Sequence, residues 1–325
     1  VGGDSVQLFE ARLKMEKLLG HRIGATQMFE TPKLGDLVTA LQKVSGQSVS
    51  DERKPRGAAA VEPSDRDIAI IGLSGRFPKS KSVEDFWQKL CNGEDLISRF
   101  DNSEMKDTVA DGTREQENYL AVRPVLDEVD QFDAKFFGVM PKEAALMDPQ
   151  ARVFLEICVH ALEDAGIDPK RSSDAIGVFA GASLSTYLLA NIMSDKAALE
   201  NFTSQFQIGN YATFTGNISD SLATRVAYKL DLKGPAISMG TACSTSLTAI
   251  AQACTSLRAG QSDVALAGGV SITFPQMRGY QSMPGGMASE DGVCRPFDAN
   301  ANGTVFGHGA GVVVLKRVKD ALEDG

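Results

Sequence analysis

Long hydrophobic runs are missing: no apolar stretch approaches the roughly 20 residues that a membrane-spanning helix needs. The first residues carry no basic, apolar, small-residue pattern of a secretion leader. Positive charge is in the minority, 33 Lys and Arg against 42 Asp and Glu, for a formal net charge of −9. With no basic block, that balance marks a poor nucleic-acid binder. Cysteines are few and odd in number, five, at 91, 158, 243, 254 and 294. No pair has zinc-ligand spacing and nothing reads as a disulfide framework, so no metal site is expected and the expected setting is reducing and cytoplasmic. What is present is ordinary globular composition, 43% hydrophobic and 23% charged over 325 residues. That length can bury one large core and leave room for a second unit. The chain starts at Val1-Gly2-Gly3-Asp4 and stops at Asp324-Gly325 after a helical stretch. Both ends are expected to be cuts through a longer protein.

Residues 1–45 read as a small helical unit. Ser5 is placed to cap a helix carrying Leu8, Phe9, Leu13 and Leu19, which Gly20 stops. A second helix over about 33–44 sets Leu34, Leu37, Val38 and Leu41 on one face. Two helices bury too little to stand alone, so a further helix is expected upstream. Residues 46–66, with Asp51-Glu52-Arg53-Lys54-Pro55-Arg56-Gly57 and Pro63-Ser64, lack periodicity and read as a linker.

From Asp67 onward, strands and helices alternate. Strands are expected at 68–73, 176–180, 236–239, 264–272 and 311–318. A helix capped by Ser82 should carry Val83, Phe86, Trp87, Leu90 and Cys91 on one face. Asp148-Pro149 opens a long helix with the stripe Phe154, Ile157, Cys158, Ala161, Leu162, ended by Gly166. Asn217 is expected to start another, with Ile218, Leu222, Val226 and Leu230, and a last spans about 244–259. The pattern predicts a layered α/β domain.

Cys243 sits in Gly240-Thr241-Ala242-Cys243-Ser244-Thr245-Ser246-Leu247, between an apolar strand and an amphipathic helix. A thiol there faces the positive end of the helix dipole, which favours the nucleophilic thiolate. Gly240, Ala242 and Ser244 are small enough for an acyl group to approach, and backbone N–H groups there can hold an oxyanion. Local context leaves a second reading open: a small buried hydrophobe, the usual fate of a free cysteine. Cys254 lies about 16 Å further along the same helix, too far to pair with Cys243, and reads as core. Gly307-His308-Gly309-Ala310-Gly311 precedes a strand instead of leading into a helix, so it does not read as a phosphate loop. Gly72-Leu-Ser-Gly75 is followed by Phe77-Pro78 with no helix start, which speaks against dinucleotide binding.

Thr241-Ala242-Cys243-Ser244-Thr245-Ser246-Leu247 resembles the nucleophile motif of β-ketoacyl synthases, the condensing domains of polyketide and fatty acid synthases. Ile68-Ala-Ile-Ile-Gly72-Leu-Ser-Gly75-Arg76-Phe77-Pro78, Asp148-Pro149-Gln150-Ala-Arg152, Ala161-Leu162-Glu163-Asp164-Ala165-Gly166, Gly268-Gly269-Val270 and Cys294-Arg295-Pro-Phe297-Asp298-Ala299 agree in order. Gly240 stands where modular synthases usually carry Asp. The resemblance covers 67–325 and implies the first half of a thiolase-like layered α/β fold, usually homodimeric. It implies that Cys243 takes an acyl or peptidyl chain from a pantetheine thioester. A malonyl-type extender would then decarboxylate and attack that thioester. The family's two catalytic histidines lie in His-Gly-Thr-Gly-Thr and Asn-Ile-Gly-His strings, and neither string occurs here. None of His21, His160 and His308 takes that role, His308 being expected in a loop near the glycine turns, and the 325 residues alone are expected to be acylated at most.

Gly2-Gly3-Asp4-Ser5 with Phe29-Glu30-Thr31-Pro32-Lys33-Leu34 resembles the second half of a carrier domain, an all-α helical bundle. By that resemblance Ser5 bears a 4′-phosphopantetheine arm. The double glycine is more typical of peptidyl carriers, which implies a hybrid nonribosomal peptide/polyketide synthase. Two other classes stay open: a thiolase-type acyltransferase sharing the thiol at a turn, and a ketosynthase-like module that only docks.

Overall fold

The computed structural model describes residues 66–325 except 102, 106–108, 206–208 and 210. The expected carrier helices, Ser5, His21 and nearly all of the linker lie outside the described residues. The strand β1 (Ile68–Arg76) is followed by helix α1 (Val83–Cys91). Short pieces come next: β2 (Ser98–Arg99), α2 (Asp111–Arg114), β3 (Tyr119–Leu120), β4 (Val122–Arg123) and α3 (Pro141–Leu146). Then come α4 (Pro149–Asp164), β5 (Ile176–Ala182), α5 (Lys196–Gln205), α6 (Tyr211–Asn217) and α7 (Leu222–Leu230). The chain continues through β6 (Ala236–Ser238), α8 (Thr245–Arg258), β7 (Val264–Ser271), β8 (Tyr280–Gln281), β9 (Gly309–Arg317) and α9 (Val318–Asp324). Among the described residues no helix is long and apolar enough to cross a membrane.

One sheet organises the domain, in the order β1-β9-β7-β5-β6. Strands β5, β6 and β7 run parallel, while β9 is antiparallel to both β7 and β1. Alternating side chains divide each strand between two cores. Val178 and Ala180 of β5 and Val264 and Leu266 of β7 pack with Phe154, Ile157 and Cys158 of α4 and with Leu222 and Val226 of α7. Phe179, Ala265 and Ala267 face the other way, onto Ala249, Ala253 and Leu257 of α8. The result is three layers with a sheet buried on both faces, as parallel strands require. Cys254 is half-buried against the second core, in line with its reading as a packing residue.

The layers are drawn close by missing side chains. A Cβ on Gly268 would lie 2.1 Å from the Gly311 carbonyl oxygen of β9. The Asp148 carboxylate accepts from the Gln150 backbone N–H, capping α4, and Gly166 at φ +68 ends that segment as expected. Ser82 caps α1, yet Trp87 and Leu90 on its apolar face stay exposed while Phe86 stacks on Phe77 at 4.2 Å.

Asn217 does not start a helix. It is the last residue of α6, and its amide donates to the carbonyls of Leu146 (2.8 Å) and Thr213 (2.7 Å). Ile218 is extended and a single 3₁₀ turn over Ser219–Ser221 leads into α7 at Leu222. The apolar spacing from Ile218 onward was real, but the Asn217 side-chain oxygen that would cap a new helix accepts from the Ser185 hydroxyl at 3.1 Å.

Candidate active site

The parallel strands β5, β6 and β7 point their C-terminal ends the same way, the side where open α/β sheets hold ligands. Five residues past β6, Cys243 lies in a 3₁₀ turn, Ala242–Ser244, that runs directly into α8. Hydroxyl groups tie this turn together. Thr245 Oγ1 accepts from the Thr241 N–H at 2.8 Å and donates to the Ala242 carbonyl at 2.8 Å. Ser244 Oγ donates to the Thr241 carbonyl at 2.8 Å, and Thr241 Oγ1 is 3.1 Å from Thr248 Oγ1. Ala242 is held at φ +52, a conformation that side chains rarely adopt. Strain at the residue before a thiol is the kind that surrounding structure must hold in place.

Cys243 is exposed, which removes the buried-hydrophobe reading. It lines a cavity of about 690 Å³ together with Phe77, Gly181, Ser183, Leu184, Gly269 and Ala310. The walls therefore come from the ends of β5 and β7, the start of β9 and the turn before α8. Gly181 makes the approach possible: a Cβ there would sit 2.3 Å from both the Met239 carbonyl and the Thr245 methyl. A second cavity of about 620 Å³, between Phe136, Leu162 and Leu230 at the ends of α4 and α7, contains no thiol. Among the other cysteines, Cys91 and Cys294 are exposed, and burial pushes the Cys158 thiol up.

The two described histidines are not brought to the cavity. His160 is exposed on α4. His308, expected in a loop near the glycine turns, does precede β9 directly, but it is buried. Its Nδ1 meets Gln276 Oε1 at 2.6 Å and its Nε2 meets Thr273 Oγ1 at 2.9 Å. Gln276 Nε2 donates to the Leu126 carbonyl, so its Oε1 is an acceptor and Nδ1 carries the proton. Nε2 then accepts from Thr273, whose oxygen accepts from Arg123 Nη1 at 2.7 Å. Burial first, and then the Arg123 charge, lower the His308 pKa to about 4. It is a neutral structural residue.

Gln150 was legible only as part of a motif; the structure gives it a task. It is buried one residue inside α4, and its amide reaches Ser183, on the cavity wall. The available signal was an amide placed directly after an Asp-Pro helix start. Burial raises the pKa of the neighbouring Asp148, against the opposing hydrogen bonds from Ser185 and Gln150.

Known proteins share the stretch that builds this site. Residues 65–321 match the family described as β-ketoacyl synthase, N-terminal domain. A phenolphthiocerol/phthiocerol polyketide synthase protein of Mycobacterium tuberculosis is 44% identical over 259 residues, 79% of this chain and 17% of that protein. Polyketide synthase PksM of Bacillus subtilis is 32% identical over 345 residues, covering 100% of this chain and 8% of PksM. Among solved structures, ketosynthase twelve of the bacillaene polyketide synthase of Bacillus amyloliquefaciens has a TM-score of 0.71 at 32% identity, covering 80% of this chain and 45% of that one. The chain thus spans a small part of the curated relatives it matches and under half of that ketosynthase.

Proposed function

The chain belongs to the β-ketoacyl synthase family, whose N-terminal domain it carries over 65–321, and from that premise we propose that Cys243 is the acyl-accepting nucleophile of a condensing domain. The observation that carries this is the exposed thiol at the turn before α8, opening into the 690 Å³ cavity. The Cys243 thiolate attacks the carbonyl carbon of a pantetheine thioester. The resulting oxyanion faces N–H groups at the helix start, where the dipole favours negative charge. The pantetheine C–S bond breaks, and the departing sulfur takes up the proton that Cys243 lost. A malonyl-type extender then loses carbon dioxide, and its carbanion attacks the Cys243 thioester, forming a C–C bond and releasing Cys243. The groups that stabilise that carbanion are assigned to the family's two histidine strings, not to His160 or His308.

The acyl donor is a carrier domain, and we retain 1–45 as carrier, 46–66 as linker and 67–325 as ketosynthase. Support comes from the PksM alignment, which runs through all of the chain instead of stopping at the matched domain. Ser5 then carries 4′-phosphopantetheine, tested by incubating the full synthase with a phosphopantetheinyl transferase and coenzyme A. An arm on the peptide that contains Ser5, absent from that peptide in Ser5→Ala, is the expected result; a Ser5 peptide left unmodified while other serines are loaded overturns it. A homodimer is the proposed assembly, since among the described residues β6 leaves one edge of the main sheet unpaired, with Ile237 exposed. The cytoplasm suits its five free thiols.

The central test is acylation. Incubating the intact protein with an acyl thioester and measuring intact mass should show one acyl adduct that maps to Cys243. Cys243→Ala should abolish it. An adduct on Cys91 or Cys294 with Cys243 free would refute the assignment.

A further inference from the structure

We propose that Gln150 is a positioning residue for the acyl cavity, spanning the ends of the two strands that form its wall. The proposal rests on the reading of Cys243 as the acylated thiol. The parallel ladder between β5 and β7 ends at the pair Ala182 and Val270. Just beyond it the chain turns away, and Ser183, Leu184 and Ser271 line the cavity with Cys243. Past the last ladder pair the Ser183 N–H still donates to the Val270 carbonyl at 3.2 Å, while the Ser183 hydroxyl and carbonyl and the Ile272 N–H turn to a side-chain partner.

Gln150 supplies that partner. Its Oε1 accepts from Ser183 Oγ at 2.6 Å, from the Ser183 N–H at 3.2 Å and from the Ile272 N–H at 3.2 Å. Its Nε2 donates to the Ser183 carbonyl at 3.2 Å and to Asp148 Oδ2 at 3.1 Å. One amide thus holds the first residue past each of the two strands, and all of its own donors and acceptors are used. The Asp148 carboxylate fixes the amide's orientation, and its other oxygen accepts from the Gln150 N–H at 2.8 Å. Gln150 is 2% exposed and does not line the cavity, so it acts only through Ser183 and the β7 end. The separation of those two ends sets how an acyl chain lies against the wall. A small error there penalises a long chain, which touches the wall, more than a short one, which does not.

The test compares an acetyl thioester with a longer acyl thioester as donors to Cys243, with iodoacetamide labelling of Cys243 as a reaction that needs no wall. In the intact protein, Gln150→Met should lower kcat/KM for the long donor by about tenfold, since sub-ångström misplacement has effects of that order. Acetyl transfer should change far less, and iodoacetamide labelling should stay at the native rate. Equal loss with both donors, or no loss with either, overturns the proposal. If Gln150→Met does not fold, Gln150→Asn carries the test, since it keeps the amide but leaves it one methylene short of Ser183 and Ile272. It should lower kcat/KM for the long donor by at least about threefold and change acetyl transfer far less; an equal effect on both donors, or none, again overturns it. A wild-type protein that takes iodoacetamide at Cys243 but no acyl group from either donor would count against the nucleophile assignment instead, so the two failures are distinguishable.

Discussion

At the scale of single residues, conformation and ionisation are separable costs. Ala242 holds φ +52 with only a methyl group to accommodate. A β-branched side chain there is penalised, so Ala242→Val should lower stability by about 1–2 kcal/mol, read from the urea midpoint. His308 has a different cost. Its pKa is 6.5 ordinarily and about 4 in the fold, lowered by burial. Between those values the unfolded chain binds a proton that the folded chain does not. Stability should therefore fall as pH drops from 6.5 to 4, by about 3 kcal/mol, and level off below. His308→Gln should flatten that part of the pH–stability curve by about one proton. An unchanged slope would show that His308 is not the group responsible.

Elements are held by what lies between them. With the Gly268 Cβ position only 2.1 Å from the Gly311 carbonyl, Gly268→Ala must force β7 and β9 apart or break their ladder. A cost of about 3 kcal/mol or more is expected, visible in thermal unfolding. At the other edge of the sheet, β6 offers three residues with Ile237 exposed and no further strand beside it among the described residues. If copies of the chain pair there, Ile237→Lys should halve the sedimenting mass, because a charge in a buried strand pair is costly. Element type was readable wherever apolar spacing was clean. The six-residue α3, the two-stranded pairs β2–β4 and β3–β8, and the end of α6 at Asn217 were not readable. Pieces of roughly two to seven residues are too short to show a period.

Across the whole molecule, the five thiols should report the layering. Cys91, Cys243 and Cys294 are exposed, Cys254 is half-buried on α8, and Cys158 is fully buried on α4 with its pKa raised by burial. A chromogenic disulfide reagent should titrate three thiols quickly in the native protein and all five in denaturant. Cys158 should react at the rate of global unfolding. Early reaction of Cys158 would contradict the packing of α4 between β1, β9 and α7.

The residues alone determined the alternating α/β order, the cap at Asp148, the stop at Gly166 and the strand-to-helix turn at Cys243. These are local facts, set by backbone preference and apolar period within a few positions. Tertiary structure decided the rest. Local context could not say whether Cys243 was buried or open, because that depends on where β5, β7 and β9 end around it. His308 is the loop residue that was expected, but its burial was not legible, because its partners Thr273 and Gln276, and Arg123 behind Thr273, are distant in sequence. The reach of Gln150 to Ser183 and Ile272 spans 33 and 122 residues. Hydrogen bonds across such separations exist only after the sheet has formed, since the chain between them must first be folded into the layers that bring them together.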